Sequence, residues 1–188
     1  MAPPNEETLR QNLALEGPAG WYVAEVGVIY ASAELTDRER RIVNGAMGRK
    51  KFRMKQCFWN AQRLVLADKT KTLKYVEGFR CQDDGCTLHA WASINGKVID
   101  PTTLDSDAGE GVLKLLMIGF LPPSSGTVLG VFDEKKTAYI GVQLSRRDLQ
   151  RREGDTVLDD WKHSWPIIRR YEKRTGRCSP TYQLKKAK

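Results

Sequence analysis

The chain has 188 residues, 40% hydrophobic and 29% charged, with a formal net charge of +8. That length and balance fit one soluble globular domain with a full core. They exclude a membrane-spanning bundle, since no apolar run approaches the roughly 20 residues a membrane helix needs.

Residues 1–18 are polar and Pro-containing, and are expected to form a flexible N-terminal arm. Met1–Gly17 lacks the apolar stretch of an export signal. With four cysteines, this points to a cytoplasmic, reducing location and free thiols. Trp21–Tyr30 reads as a strand buried on both faces. Thr36-x-x-Glu39 is a capping box opening a helix with the apolar stripe Ile42, Val43, Ala46 and Met47. Gly48 and the basic run Arg49–Lys55 read as a surface loop.

The next helix spans Gln56–Asp68, with Phe58, Ala61, Leu64 and Val65 at helical spacing. Cys57 lies in its first turn, behind the basic loop. The helix N-terminus and the nearby cations both favour a thiolate there. Leu73–Phe79 reads as a strand, with Gly78 marking a bulge or close backbone approach. Cys81–Cys86 reads as a loop, across which a disulfide is sterically possible but disfavoured by a reducing compartment.

Asn95-Gly96 between two strand-like runs signals a two-residue hairpin. That turn sets Ile94 opposite Lys97, Ser93 opposite Val98, Ala92 opposite Ile99 and Trp91 opposite Asp100. The two-residue period then places His89, Trp91, Val98 and Asp100 on one face. His89 and Asp100 become diagonal neighbours, about 7–8 Å apart at the backbone. A carboxylate there accepts from one imidazole nitrogen and leaves the other for a thiol.

Asp105–Gly111 is a polar loop. Val112–Leu121 reads as either a short helix or a strand, ended by Pro122-Pro123. Thr127–Phe132 and Thr137–Leu144 read as strands, and Ser145 caps a short helix over Arg146–Arg152. Trp161 and Trp165 suit a packed helical face, with His163 between them at the surface. Pro166 starts a final helix through Arg174, followed by a mobile tail. Residues 169–188 hold eight basic side chains against Glu172 alone. The expected organisation is an arm (1–18), a domain (19–165) and a basic helix and tail (166–188).

A cysteine at a helix start, His89-Ala90-Trp91 on one strand and Asp100-Pro101-Thr102 at the end of the next resemble the core of transglutaminase-like, papain-fold thiol enzymes. Cys57-Phe58-Trp59-Asn60-Ala61, Tyr75-Val76-Glu77-Gly78-Phe79, Val98–Thr102 and Tyr139-Ile140-Gly141-Val142 also resemble blocks of bacterial and phage proteins of unknown function. The likeness spans roughly residues 19–160. It implies a papain-like α+β core and a Cys57–His89–Asp100 triad, and no particular substrate. Papain relatives carry an oxyanion-hole Gln several residues before the Cys, whereas Gln56 here is adjacent to it.

The leading expectation is a cysteine hydrolase or acyltransferase acting on a peptide, protein or other amide through a thioester, without a cofactor. Gln56, Asn60 and Trp91 are candidate substrate contacts. The alternative is a nucleic-acid or acidic-partner binding protein using Arg49–Lys55 and Arg169–Lys188. A weaker competing reading has Cys81, Cys86 and His89 ligating zinc, with Cys57, His163 or Cys178 as the fourth ligand.

Overall fold

A computed structural model describes residues 5–48, 52, 56–82, 85–102, 137–149, 156–158 and 166–179. In chain order these form α1 (Glu6–Leu13), α2 (Gly17–Val26), β1 (Val28–Tyr30), α3 (Asp37–Met47) and α4 (Cys57–Ala67). Next come β2 (Lys74–Gln82), β3 (Gly85–Ile94), β4 (Lys97–Ile99), β5 (Ala138–Leu144), α5 (Arg146–Leu149) and α6 (Pro166–Thr175). The class is α+β: helices pack around one antiparallel sheet of order β1-β5-β2-β3-β4.

The sheet curls until its outer strands meet. Beyond β1, the Ala31 N–H donates to Gly96 O at 3.1 Å, and the Val98 N–H donates to Ala31 O at 2.9 Å. The inside of the curl is filled by one side chain from each described strand: Tyr30, Tyr139, Val76, Trp91 and Val98. Trp91 meets Tyr30 and Tyr139 edge-on, with centroids 5.5 and 5.2 Å apart. Such a tight interior leaves no room for a Cβ on two neighbouring strands. At Gly78 a Cβ would come within 2.1 Å of Ile140 O, and at Gly141 within 2.7 Å of the Trp91 ring. Gly78 is therefore the close-approach glycine that its place in a strand suggests.

The opposite sheet face carries the larger core. Ala61, Leu64 and Val65 of α4 pack there with Tyr75, Phe79, Ala90, Ala92 and Ile140. Both faces of β2 and β3 are thus covered. The β3–β4 hairpin has the expected register, Ala92↔Ile99, Ser93↔Val98 and Ile94↔Lys97. Asn95 and Gly96 have φ of 51° and 79°, as a type I′ turn requires. The α3 capping box forms, with Thr36 and Glu39 each bonding the other's backbone N–H. Glu39 also accepts from Asn95 Nδ2 at 2.8 Å and Lys97 Nζ at 2.9 Å, which fixes the hairpin tip to α3.

Several expectations need correction. The arm expected over residues 1–18 contains α1, which Asn5 caps through the Thr8 N–H. Leu9 and Leu13 lie in the core. Trp21–Tyr30 is not one strand, because α2 runs to Val26 and leaves β1 only Val28–Tyr30. Pro18 sits in the first turn of α2, where its missing N–H costs nothing. Burial on all sides makes a helix and a buried strand look alike in hydropathy.

The C-terminal helix starts at Pro166 as expected, but it belongs to the same core. Tyr171 packs edge-on against Trp21 and Tyr22, and Ile168 is buried. The tail just after it is held: Arg177 pairs with Glu25, and buried Ser179 donates its N–H to Glu172 at 3.0 Å. Neither 18/19 nor 165/166 separates units that pack apart. The basic residues of the Arg49–Lys55 run, the readings over 105–132, and Trp161, His163 and Trp165 lie outside the described residues. No described helix is long and apolar enough to cross a membrane.

Candidate active site

Cys57 is the first residue of α4. Gln56, exposed and outside helical geometry at φ −116° and ψ 57°, is the N-cap and provides no side-chain cap. Cys57 therefore sits at the positive end of the α4 dipole. Cys57 is half-buried and unbonded to other cysteines.

β3 carries His89, and Asp100 follows β4 directly. His89 Nε2 lies 2.6 Å from Asp100 Oδ2, the contact the hairpin register implies. Asp100 is fully buried, and its Oδ1 accepts the Thr102 N–H at 2.9 Å, closing the Asp-Pro-Thr turn around the carboxylate. Burial alone pulls the His89 pKa down. The Asp100 charge and hydrogen bond, joined by the neighbouring Cys57 thiol, outweigh it and push the pKa up to about 9. Since Nε2 faces Asp100, the nitrogen left for the thiol is Nδ1. Cys57, His89 and Asp100 thus come together in the order thiol, imidazole, carboxylate.

The candidate substrate contacts divide. Gln56 is exposed beside Cys57. Asn60 and Trp91 are both fully buried and present no surface to a substrate. Asn60 Nδ2 donates to Thr102 Oγ1 at 3.2 Å, tying the cysteine helix to the turn behind Asp100. One helical turn after Cys57, this residue looks inward because the apolar stripe of α4 turns that way. Trp91 fills the curl instead of walling the site. Its ring lies roughly parallel to His89, with centroids 6.4 Å apart.

Cys81 and Cys86 form a disulfide, contrary to the expected free thiols. They face each other directly in the β2–β3 register, with Cα atoms 4.0 Å apart. Neither sulfur is left as a thiolate for a metal, and the inference of a reducing compartment from free thiols loses its ground. Among the described residues, no three His, Cys, Asp or Glu side chains gather as metal ligands.

Two polar residues of the site and its support are not singled out by the sequence. Tyr139 on β5 donates its O–H to Asp100 Oδ2 at 3.1 Å. Glu77, on the opposite sheet face, is fully buried. It accepts from Tyr75 O–H at 2.7 Å, and from Thr156 O–H and the Val157 and Leu158 N–H groups, each at 2.8 Å. That carboxylate holds residues 156–158 against the sheet. Its burial, opposed by those donors, leaves its pKa raised. The Tyr75–Phe79 and Tyr139–Val142 blocks contain both residues, but neither block reveals its partner strand.

Compared with protein-family models, curated proteins and solved structures, the chain matches none.

Proposed function

We propose that this chain is a thiol-dependent acyl-group enzyme with a papain-like, transglutaminase-like core. The observation that carries the reading is the 2.6 Å contact between His89 Nε2 and a wholly buried Asp100 carboxylate, with the half-buried Cys57 thiol near enough to the same imidazole to help raise its pKa. A surface ion pair needs no third member at a helix start. A thiol nucleophile does need a counter-charge and proton carrier, and the carrier needs an orienting acceptor.

In this reading the Cys57 sulfur attacks the carbonyl carbon of an amide or ester. The carbonyl electrons move to oxygen, and the positive end of the α4 dipole stabilises the oxyanion, with Gln56 close by. Imidazolium His89 then gives its proton to the leaving amine or alcohol as the C–N or C–O bond breaks. The resulting thioester is attacked by water or an amine, whose proton passes to His89, and Cys57 is released. Asp100 keeps the ring in place and balances its charge throughout. Peptidase, amidase, deamidase and acyltransferase chemistry all follow this course and differ only in what enters and leaves.

The test is to trap the thioester. The chain is incubated with an activated acyl ester and analysed by mass spectrometry. One acyl group on Cys57, removed by hydroxylamine and absent from His89→Ala, is the expected result. Acylation spread equally over Cys57 and Cys178 would refute it.

A second reading draws on α6, where Arg170, Lys173 and Arg174 are exposed on a helix whose other side is packed. That surface suits an acidic partner or nucleic acid, and binding that weakens steeply with salt is its signature.

A further inference from the structure

The inner cluster of the curled sheet is apolar apart from the Trp91 indole N–H and the hydroxyls of its tyrosines, and one of these hydroxyls reaches the candidate site. Tyr139 is 1% exposed. Its ring is wedged edge-on against Trp91 and lies 6.2 Å from the His89 ring. A phenylalanine would fill that space and leave no hydroxyl to desolvate. The hydroxyl instead donates to Asp100 Oδ2, the same oxygen that faces His89 Nε2. On the neighbouring strand Arg80 stands directly opposite Tyr139, and its positive charge acts on the phenol. The phenol therefore donates to Asp100 with the Arg80 charge beside it, and His89 meets the same carboxylate oxygen.

We propose that Tyr139 is a positioning residue of this site: its phenol, backed by Arg80, shares the Asp100 oxygen with His89 and sets how strongly the carboxylate holds the imidazole. The inference rests on the reading of Cys57, His89 and Asp100 as a triad. Burial pushes the Tyr139 pKa far above the ordinary tyrosine range, and the Asp100 charge adds to that. The phenol keeps its proton at every pH at which the enzyme is folded, and acts as a constant donor. A donor on Oδ2 draws charge from the oxygen that His89 uses and so tempers the pull on the imidazolium. Among the described residues, the charged and titratable groups around His89 are Asp100 after β4, Cys57 on α4, Tyr139 on β5 and, beside Tyr139, Arg80 on β2.

Tyr139→Phe keeps the ring and removes only the donor. Thr102 N–H still holds the other carboxylate oxygen, so Asp100 stays in place. NMR titration of the His89 ring in the folded variant should show its pKa moved upward by about half a unit or more relative to the parent. The high-pH limb of Cys57 acylation should move with it. An unmoved or lowered His89 titration would overturn the inference and leave Tyr139 as packing alone. Arg80→Gln leaves the inner cluster intact and is read in the same way, with a smaller upward movement expected. It decides the matter if Tyr139→Phe does not fold. The two failures are distinct. If parent Cys57 is no more reactive than exposed Cys178, the triad reading falls. If Cys57 is activated but neither variant moves His89, only the role of Tyr139 falls.

Discussion

Asp100→Asn preserves the size and hydrogen-bonding capacity of a fully buried side chain while removing its charge. In the parent, His89 titrates at about 9 against an ordinary 6.5. A raised pKa means that the folded state binds the proton more tightly than the unfolded chain does. The stabilisation is therefore complete below about pH 6.5 and is lost as pH rises through about 9. Its size is on the order of 3 kcal/mol. That is a large share of a typical domain's stability. Without the carboxylate, burial becomes the dominant influence on His89 and favours the neutral ring, so the contribution disappears or changes sign. The assay is urea unfolding of parent and variant at steps from pH 6 to pH 9.5, because other titrations cancel in the difference. The parent should exceed Asp100→Asn by on the order of 3 kcal/mol more at pH 6 than at pH 9.5. A stability difference that is the same at both ends would refute the coupling of His89 to Asp100.

Gly78→Ala sets a Cβ against the backbone of Ile140 and Gly141, which cannot give way without parting β2 from β5, and should cost about 2–3 kcal/mol in chemical denaturation; an unchanged midpoint would show that the strands tolerate wider spacing. In non-reducing denaturant, alkylation should count two thiols, Cys57 and Cys178, rising to four after reduction; four without reductant would contradict the Cys81–Cys86 bond. A chain ending at Thr175 should melt below one ending at Ser179, because it loses the buried Ser179 and the Arg177–Glu25 pair; equal melting would show that this stretch adds nothing.

The β3–β4 register is legible from local residues because Asn95 and Gly96 demand positive φ and admit one pairing. His89 and Asp100 follow from it by the two-residue period. The capping box Thr36–Glu39 and the start of α4 are legible for the same reason, since each is set within one helical turn. What depends on distant partners is not. Tyr139 reaches Asp100 across a gap of 39 positions, through a β5–β2 pairing that no local motif announces. Trp91 and Asn60 are polar-tipped residues near the site in sequence, and only the closure of the sheet and the packing of α4 show that they point into the core. The α2 helix is hidden by burial: Trp21, Tyr22 and Val23 are all covered, so the hydrophobic period that separates helix from strand is lost. The Cys81–Cys86 bond turns on strand register at the hairpin tip, where spacing alone suggests a loop.

The central claim is that Cys57 is activated by His89 and Asp100. It is tested most directly by the rate of iodoacetamide alkylation of Cys57 between pH 5 and 9, with exposed Cys178 as the internal reference in the same molecules. In the parent, Cys57 should react ahead of Cys178 at mildly acidic pH. His89→Ala and Asp100→Asn, each shown to be folded by circular dichroism, should slow Cys57 by roughly 10–1,000-fold at neutral pH, and the double variant should lose little more. Parent-like rates in both folded variants across the whole range would contradict the account.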